Sequence, residues 1–129
     1  MAYILVVDDS EFDRRMIMRA LKRADKSIDF AELNNGSSVV DTLRLSRPDL
    51  ILLDIRMPGP SGFEVLDAIK GHHRFNDCNV VMISGSRASD DKQMAADKGA
   101  LAYFTKPNTK AGYAALAAQI SESYLPAAA

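Results

Sequence analysis

The chain has 129 residues and a formal net charge of −1, with 47% hydrophobic and 26% charged residues. That length suits one domain with one substantial core. The near-neutral balance argues against broad binding to nucleic acid or to a membrane surface. A single cysteine, Cys78, excludes an internal disulfide and suits a reducing compartment. No apolar run approaches the roughly 20 residues that cross a bilayer. The N-terminus lacks the basic start and cleavage site of a signal peptide, so the expected location is the cytoplasm.

Tyr3 to Val7 (YILVV) is apolar and rich in β-branched residues, and it reads as a buried strand ending at Asp8 and Asp9. Ser10 and Asp13 give a capping-box spacing for a first helix. Phe12, Met16, Ile17, Ala20, Leu21 and Ala24 supply its apolar stripe and a row of Arg and Lys its outer face. Ile28 to Leu33 alternates apolar and polar, as an edge strand does. A second helix is expected from about Ser37 to Ser46, where Pro48 prevents continuation.

Leu50 to Leu53 is continuously apolar and ends at Asp54, before a rigid Pro-Gly turn. Such a run fits a central parallel strand buried on both faces. Ser61 and Glu64 form a capping box for a third helix, with Gly71 as its stop. Val80 to Ile83 is a fourth strand ending at Ser84. A helix from about Ser89 to Lys98 precedes a fifth strand, Leu101 to Thr105, which ends at Lys106 and Pro107. Tyr113, Leu116, Ala117, Ile120 and Tyr124 mark the last helix. Five strands alternating with five helices imply a flavodoxin-like, doubly wound α/β fold. The expected parallel strand order is 2-1-3-4-5, with the alternating second strand at an edge. Residues 1–125 form the expected domain and 126–129 a short tail.

Ligands of such sheets bind beyond the carboxyl ends of the strands. Asp8, Asp9, Asp54, Ser84 and Lys106 all fall there. Carboxylates brought together repel one another and call for a neutral or cationic partner. An all-oxygen donor set points to a hard ion such as Mg2+. A carboxylate beside Mg2+ and a lysine is suited to carry a phosphoryl group, since both cations neutralise incoming charge. It is ionised at neutral pH and needs no general base. No G-x-x-x-x-G-K-S/T or G-x-G-x-x-G occurs, so nucleotide binding is not expected. His72 and His73 read as surface residues, and Cys78 as a small buried or half-buried residue rather than a reactive thiol.

Four segments, Val6-Val7-Asp8-Asp9, Leu52 to Gly59, Ile83-Ser84-Gly85 and Thr105-Lys106-Pro107, resemble in order the receiver domain of two-component response regulators. The likeness covers nearly the whole chain, as in the stand-alone, single-domain type. It implies that Asp54 is the phosphoacceptor, served by a histidine kinase or a histidine phosphotransfer protein. Asp9 would bind Mg2+ directly, Asp8 mainly through water, and the Arg56 main-chain carbonyl would complete the ligands with Asp54. Ser84 would be the switch hydroxyl, Lys106 the cation paired with the phosphoryl group, and Tyr103 the switch aromatic that moves inward. Arg56 and Ser86 occupy positions that tune phosphoryl lifetime in the family. The Lys106–Pro107 bond is expected to be cis.

The resemblance further implies a signalling protein with an output partner, not an enzyme acting on outside substrates. Onward phosphotransfer and a phosphorylation-dependent dimer are among the outputs it allows. The alternative is a receiver-like interaction module that works without phosphate. A phosphatase of the haloacid-dehalogenase type is disfavoured, because it wants an acid two residues after the nucleophile, where Arg56 stands.

Overall fold

The computed structural model describes residues 2–126. In chain order the elements are β1 (Tyr3–Val7), α1 (Glu11–Ala24), β2 (Asp29–Leu33), α2 (Val39–Leu45) and β3 (Leu50–Leu53). Then follow α3 (Gly62–Lys70), β4 (Val80–Ser84), α4 (Ser89–Asp97), β5 (Ala102–Thr105) and α5 (Lys110–Ser123). All neighbouring strands are parallel and the order is β2-β1-β3-β4-β5. This is the expected flavodoxin-like arrangement. Among the described residues no helix is long and apolar enough to cross a membrane.

The continuous apolar runs follow from a sheet covered on both faces. Leu5, Val7, Ile51, Leu53 and Met82 point to one side, where Val39 and Leu43 of α2, Leu66 and Ile69 of α3 and Ala95 of α4 pack. Ile4, Val6, Leu50, Leu52 and Ile83 point to the other, against Ile17 and Leu21 of α1 and Leu116 and Ile120 of α5. Alternate residues of one strand thus serve two cores. β2 has no fully buried residue and stands at an edge, as its polar alternation requires.

Ladder bonds continue past the strand ends and carry the register into the loops. The Asp8 N–H donates to the Leu33 carbonyl at 3.1 Å, the Asp54 N–H to Val7 at 3.0 Å and the Lys106 N–H to Ser84 at 2.8 Å. Asp8, Asp54 and Lys106 are therefore fixed by backbone pairing before their side chains interact. The capping box on α3 is complete: the Glu64 N–H donates to Ser61 Oγ and the Ser61 N–H to the Glu64 carboxylate.

Four details depart from the expectations. α2 begins later, because Asn35 Oδ1 takes the Ser37 N–H and hydroxyl in a turn before the helix. Phe12 is 68% exposed, since the buried stripe of α1 is Ile17, Ala20 and Leu21 and the first turn rises beyond the sheet. The capping box at Ser10 is half formed. Ser10 Oγ accepts from the Asp13 N–H, but the Ser10 N–H donates to Asp8 Oδ1 rather than to Asp13. No peptide bond among the described residues is cis, so Lys106–Pro107 is trans. Trans is the lower-energy isomer of an X–Pro bond, and here it leads the chain to Thr109, whose hydroxyl caps α5 through the Gly112 N–H. Of the expected tail, residues 127–129 lie outside the described residues.

Candidate functional site

Four strand ends and the first turn of α1 surround one open cleft. It is lined by Asp9, Asp13, Asp54, Arg56, Ser84, Ser86 and Lys106, among others. Asp8 lies beneath it. Asp8, Asp54 and Ser84 are buried at 7%, 5% and 1% exposure, whereas Asp9 and Arg56 are exposed. Polar groups are rarely buried this deeply without partners, and each of the three has one.

Lys106 is the hub. Its ammonium lies 2.8 Å from Asp8 Oδ2, 2.8 Å from Asp13 Oδ2 and 3.3 Å from Asp54 Oδ2. Asp8 Oδ1 accepts the Ser10 N–H at 2.9 Å, and Asp54 Oδ1 the Ile55 N–H at 2.9 Å. Burial works against the charge on Lys106, but its hydrogen bonds to Asp13 and Asp8, aided by the charges of Asp8 and Asp54, hold its pKa above the ordinary lysine value. The ammonium is permanent at neutral pH.

Asp54 answers to the opposite balance. Burial first, and then the Asp8 carboxylate, push its pKa up to about 6, against the pull of Lys106 and the Ile55 N–H. One ammonium does not neutralise four acids. Asp8, Asp9 and Asp54 can each offer an oxygen within 4.8 Å of the others. Excess negative charge, oxygen donors alone and an open side toward solvent fit a hard divalent cation. Neither His72 nor His73 joins this cluster; they stack on each other in the loop after α3. Cys78 is buried, and burial pushes its thiol pKa up, as expected of an unreactive cysteine.

Beyond β4 the loop is tied in sequence. The Ser86 N–H donates to Ser84 Oγ at 3.3 Å, and Ser86 Oγ donates to Asp91 in α4 at 2.5 Å. The Tyr103 hydroxyl donates to the Ser86 carbonyl at 2.7 Å. Tyr103 is half-buried and packs against the α2–α3–α4 core. The structure thus links Ser84, Ser86 and Tyr103, which the sequence had named for separate reasons. Arg56 lines the cleft and makes no ion pair among the described residues.

Asp13 is the site residue that sequence reading missed. Its spacing to Ser10 marks it only as a helix-capping residue. A signal was present: Asp13 precedes Ile17 by one turn and Ala20 by two, so it continues the buried stripe of α1 upward. An acid on an apolar stripe, on a helix that starts at a strand end, is aimed at whatever that strand end carries.

Known proteins share this architecture. The model of the response regulator receiver domain matches residues 4–117. The probable methanogenesis regulatory protein FilR2 of Methanothrix harundinacea is 34% identical over 110 residues, 81% of this chain and 71% of that protein. The Mn(2+)-bound form of response regulator Rcp1 has a TM-score of 0.88 at 26% identity, covering 100% of this chain and 98% of that one. The phosphorylated cyanobacterial phytochrome response regulator RcpA has a TM-score of 0.88 at 30% identity, covering 98% and 99%. Longer proteins match in part: the chain spans 29% of a protein-glutamate methylesterase/protein-glutamine glutaminase of Natronomonas pharaonis at 33% identity. With the family model running from β1 into α5 and relatives a third identical, the chain belongs to the response regulator receiver domain family.

Proposed function

We propose that this chain is a phosphoacceptor switch of a two-component or phosphorelay system, loaded on Asp54. The observation that carries the reading is the Lys106 ammonium, 3.3 Å from a buried carboxylate in an acid-lined cleft open to solvent. The donor would be a histidine kinase or a histidine phosphotransfer protein. A phytochrome-class kinase is the first to try, since RcpA is a phytochrome response regulator.

In the reaction a carboxylate oxygen of Asp54 bonds to phosphorus as the phosphohistidine P–N bond breaks. The electron pair of that bond leaves with the imidazole nitrogen, which takes up a proton. Asp54 is mostly ionised above its raised pKa, so no base is needed. Lys106 holds positive charge where the phosphoryl oxygens gather, and the Ile55 N–H fixes the second carboxylate oxygen. Asp9, Asp54 and the Arg56 main-chain carbonyl, with Asp8 through water, would hold Mg2+, which when bound supplies further neutralisation of the phosphoryl oxygens. That Rcp1 has a Mn(2+)-bound form supports this assignment. Water attack on phosphorus, releasing inorganic phosphate and the free carboxylate, resets the site. Arg56 and Ser86, at its rim, would set the pace.

Readout follows from the tied loop. A phosphoryl oxygen that accepts a hydrogen bond from Ser84 draws on Ser86, and Ser86 carries the Tyr103 hydroxyl and Asp91 of α4. The group would thereby stabilise one arrangement of the α4–β5–α5 surface, which meets an output protein or a second copy. The unit concerned is residues 1–125, in the cytoplasm.

The test is intact mass after incubation with Mg2+ and phosphoramidate. Wild type should gain one phosphoryl mass and Asp54→Ala none. No gain in wild type, or an equal gain in both, would overturn the reading.

A further inference from the structure

We propose that Asp13 is a positioning residue for Lys106, and that by competing for this ammonium it restrains the loading of Asp54. The inference rests on the phosphoacceptor reading of the site and deepens it.

The geometry is a contest for three protons. An ammonium has three N–H donors, and three carboxylates surround this one. Asp8 and Asp13 lie at 2.8 Å, and Asp54, the group to be loaded, is the longest contact at 3.3 Å. A phosphoryl group on Asp54 adds acceptor oxygens beyond the three that the ammonium's three N–H groups already serve, so one existing partner must yield. The Asp8 side chain is only 10% exposed and is held from its other oxygen by the Ser10 N–H. The Asp13 side chain is 26% exposed and reaches water more easily when released. Asp13 is therefore the partner that gives way. Its place is fixed meanwhile by its own N–H, which the Ser10 hydroxyl accepts at the start of α1.

Two effects act in one direction. Asp13 holds Lys106 away from Asp54, and its charge repels an anionic donor entering the same cleft. Replacing the acid by its amide keeps the shape, removes the charge and frees the ammonium.

The experiment has two arms. In 15N-lysine-labelled protein without donor or divalent ion, the Lys106 ammonium resonance should shift and exchange faster with water in Asp13→Asn than in wild type. Asp13→Glu should keep it near wild type, which separates charge pairing from a disturbed helix start. In the second arm, loading from phosphoramidate with Mg2+ should be about threefold to tenfold faster in Asp13→Asn at low salt, with the advantage shrinking as salt rises. An unshifted resonance would show that Asp13 does not hold Lys106. A shifted resonance with loading equal to or slower than wild type would remove the restraint. If wild type itself fails to load, the phosphoacceptor reading falls, while the resonance arm still reports on the Asp13–Lys106 pair.

Discussion

The Tyr103 hydroxyl and the Ser86 main-chain carbonyl are joined by a 2.7 Å hydrogen bond that ties β5 to the loop leaving β4. The bond spans 17 residues of sequence. Tyr103→Phe removes it while keeping the ring in the core. A neutral hydrogen bond of this kind contributes about 1 kcal/mol. Amide exchange across residues 85–90 should accelerate by roughly fivefold, with little change in β3. Exchange unchanged in that loop would mean that the bond does not hold it.

The pKa of Asp54, about 6 against an ordinary 3.8, makes a statement about stability. The folded chain binds this proton more tightly than the unfolded chain. Below about pH 4 both states hold it and there is no penalty; above about pH 6 both have lost it and the penalty is complete. Stability therefore falls as pH rises through that window. In EDTA near neutral pH, Asp54→Asn should be more stable than wild type by on the order of 2 kcal/mol. The gain should vanish near pH 4. Urea melts at several pH values decide it, and a gain that grows toward acid would reverse the sign.

Asp8 and Asp9 are adjacent in sequence and opposite in burial. Asp9→Asn should leave stability in EDTA within about 0.5 kcal/mol, yet weaken Mg2+ binding by at least about tenfold. Asp8→Asn should cost about 1–3 kcal/mol even in EDTA, because Lys106 loses a buried charged partner. Calorimetric titration and denaturant melts on the same preparations separate the two. Equal effects on stability would contradict the assignment of Asp8 as the structural acid.

Gly62 marks the close approach of α3 to the loop that follows β3. A Cβ there would collide with the Asp54 carbonyl oxygen and lie 2.7 Å from the Ile55 Cα. The Gly62 N–H also donates to the Ile55 carbonyl at 2.7 Å, so the helix cannot back away cheaply. Gly62→Ala should destabilise by about 2 kcal/mol or more. It should also slow Asp54 loading, because the strain falls on Asp54's own backbone. A variant that melts like wild type would show that the contact is soft.

The strands were legible because Leu50 to Leu53 and Val80 to Ile83 are apolar without alternation, which few arrangements besides a sheet covered on both faces allow. Once the strands were placed, Asp54, Ser84 and Lys106 followed as strand-end residues. Periodicity served less well where it met solvent. Phe12 keeps helical spacing with Met16, but spacing does not say where the sheet stops. Asp13 was hidden for a related reason. Its spacing to Ser10 suggested a local cap, and a local explanation satisfied the pattern before its long-range partner could be seen. The tie from Tyr103 to Ser86 was out of reach as well, because it depends on which backbone carbonyl the loop turns toward β5.

Lys106 and Asp13 meet across 93 positions of sequence. During synthesis the acids at Asp8, Asp9, Asp13 and Asp54 emerge well before the lysine, which arrives with the last strand of the sheet. Until β5 docks, the carboxylates lack the Lys106 ammonium, and an incoming phosphoryl group would have only a bound cation to neutralise it. The proposed chemistry therefore lacks its ammonium in an unfinished chain. On the phosphoacceptor reading, a loaded molecule is then one whose own sheet has closed.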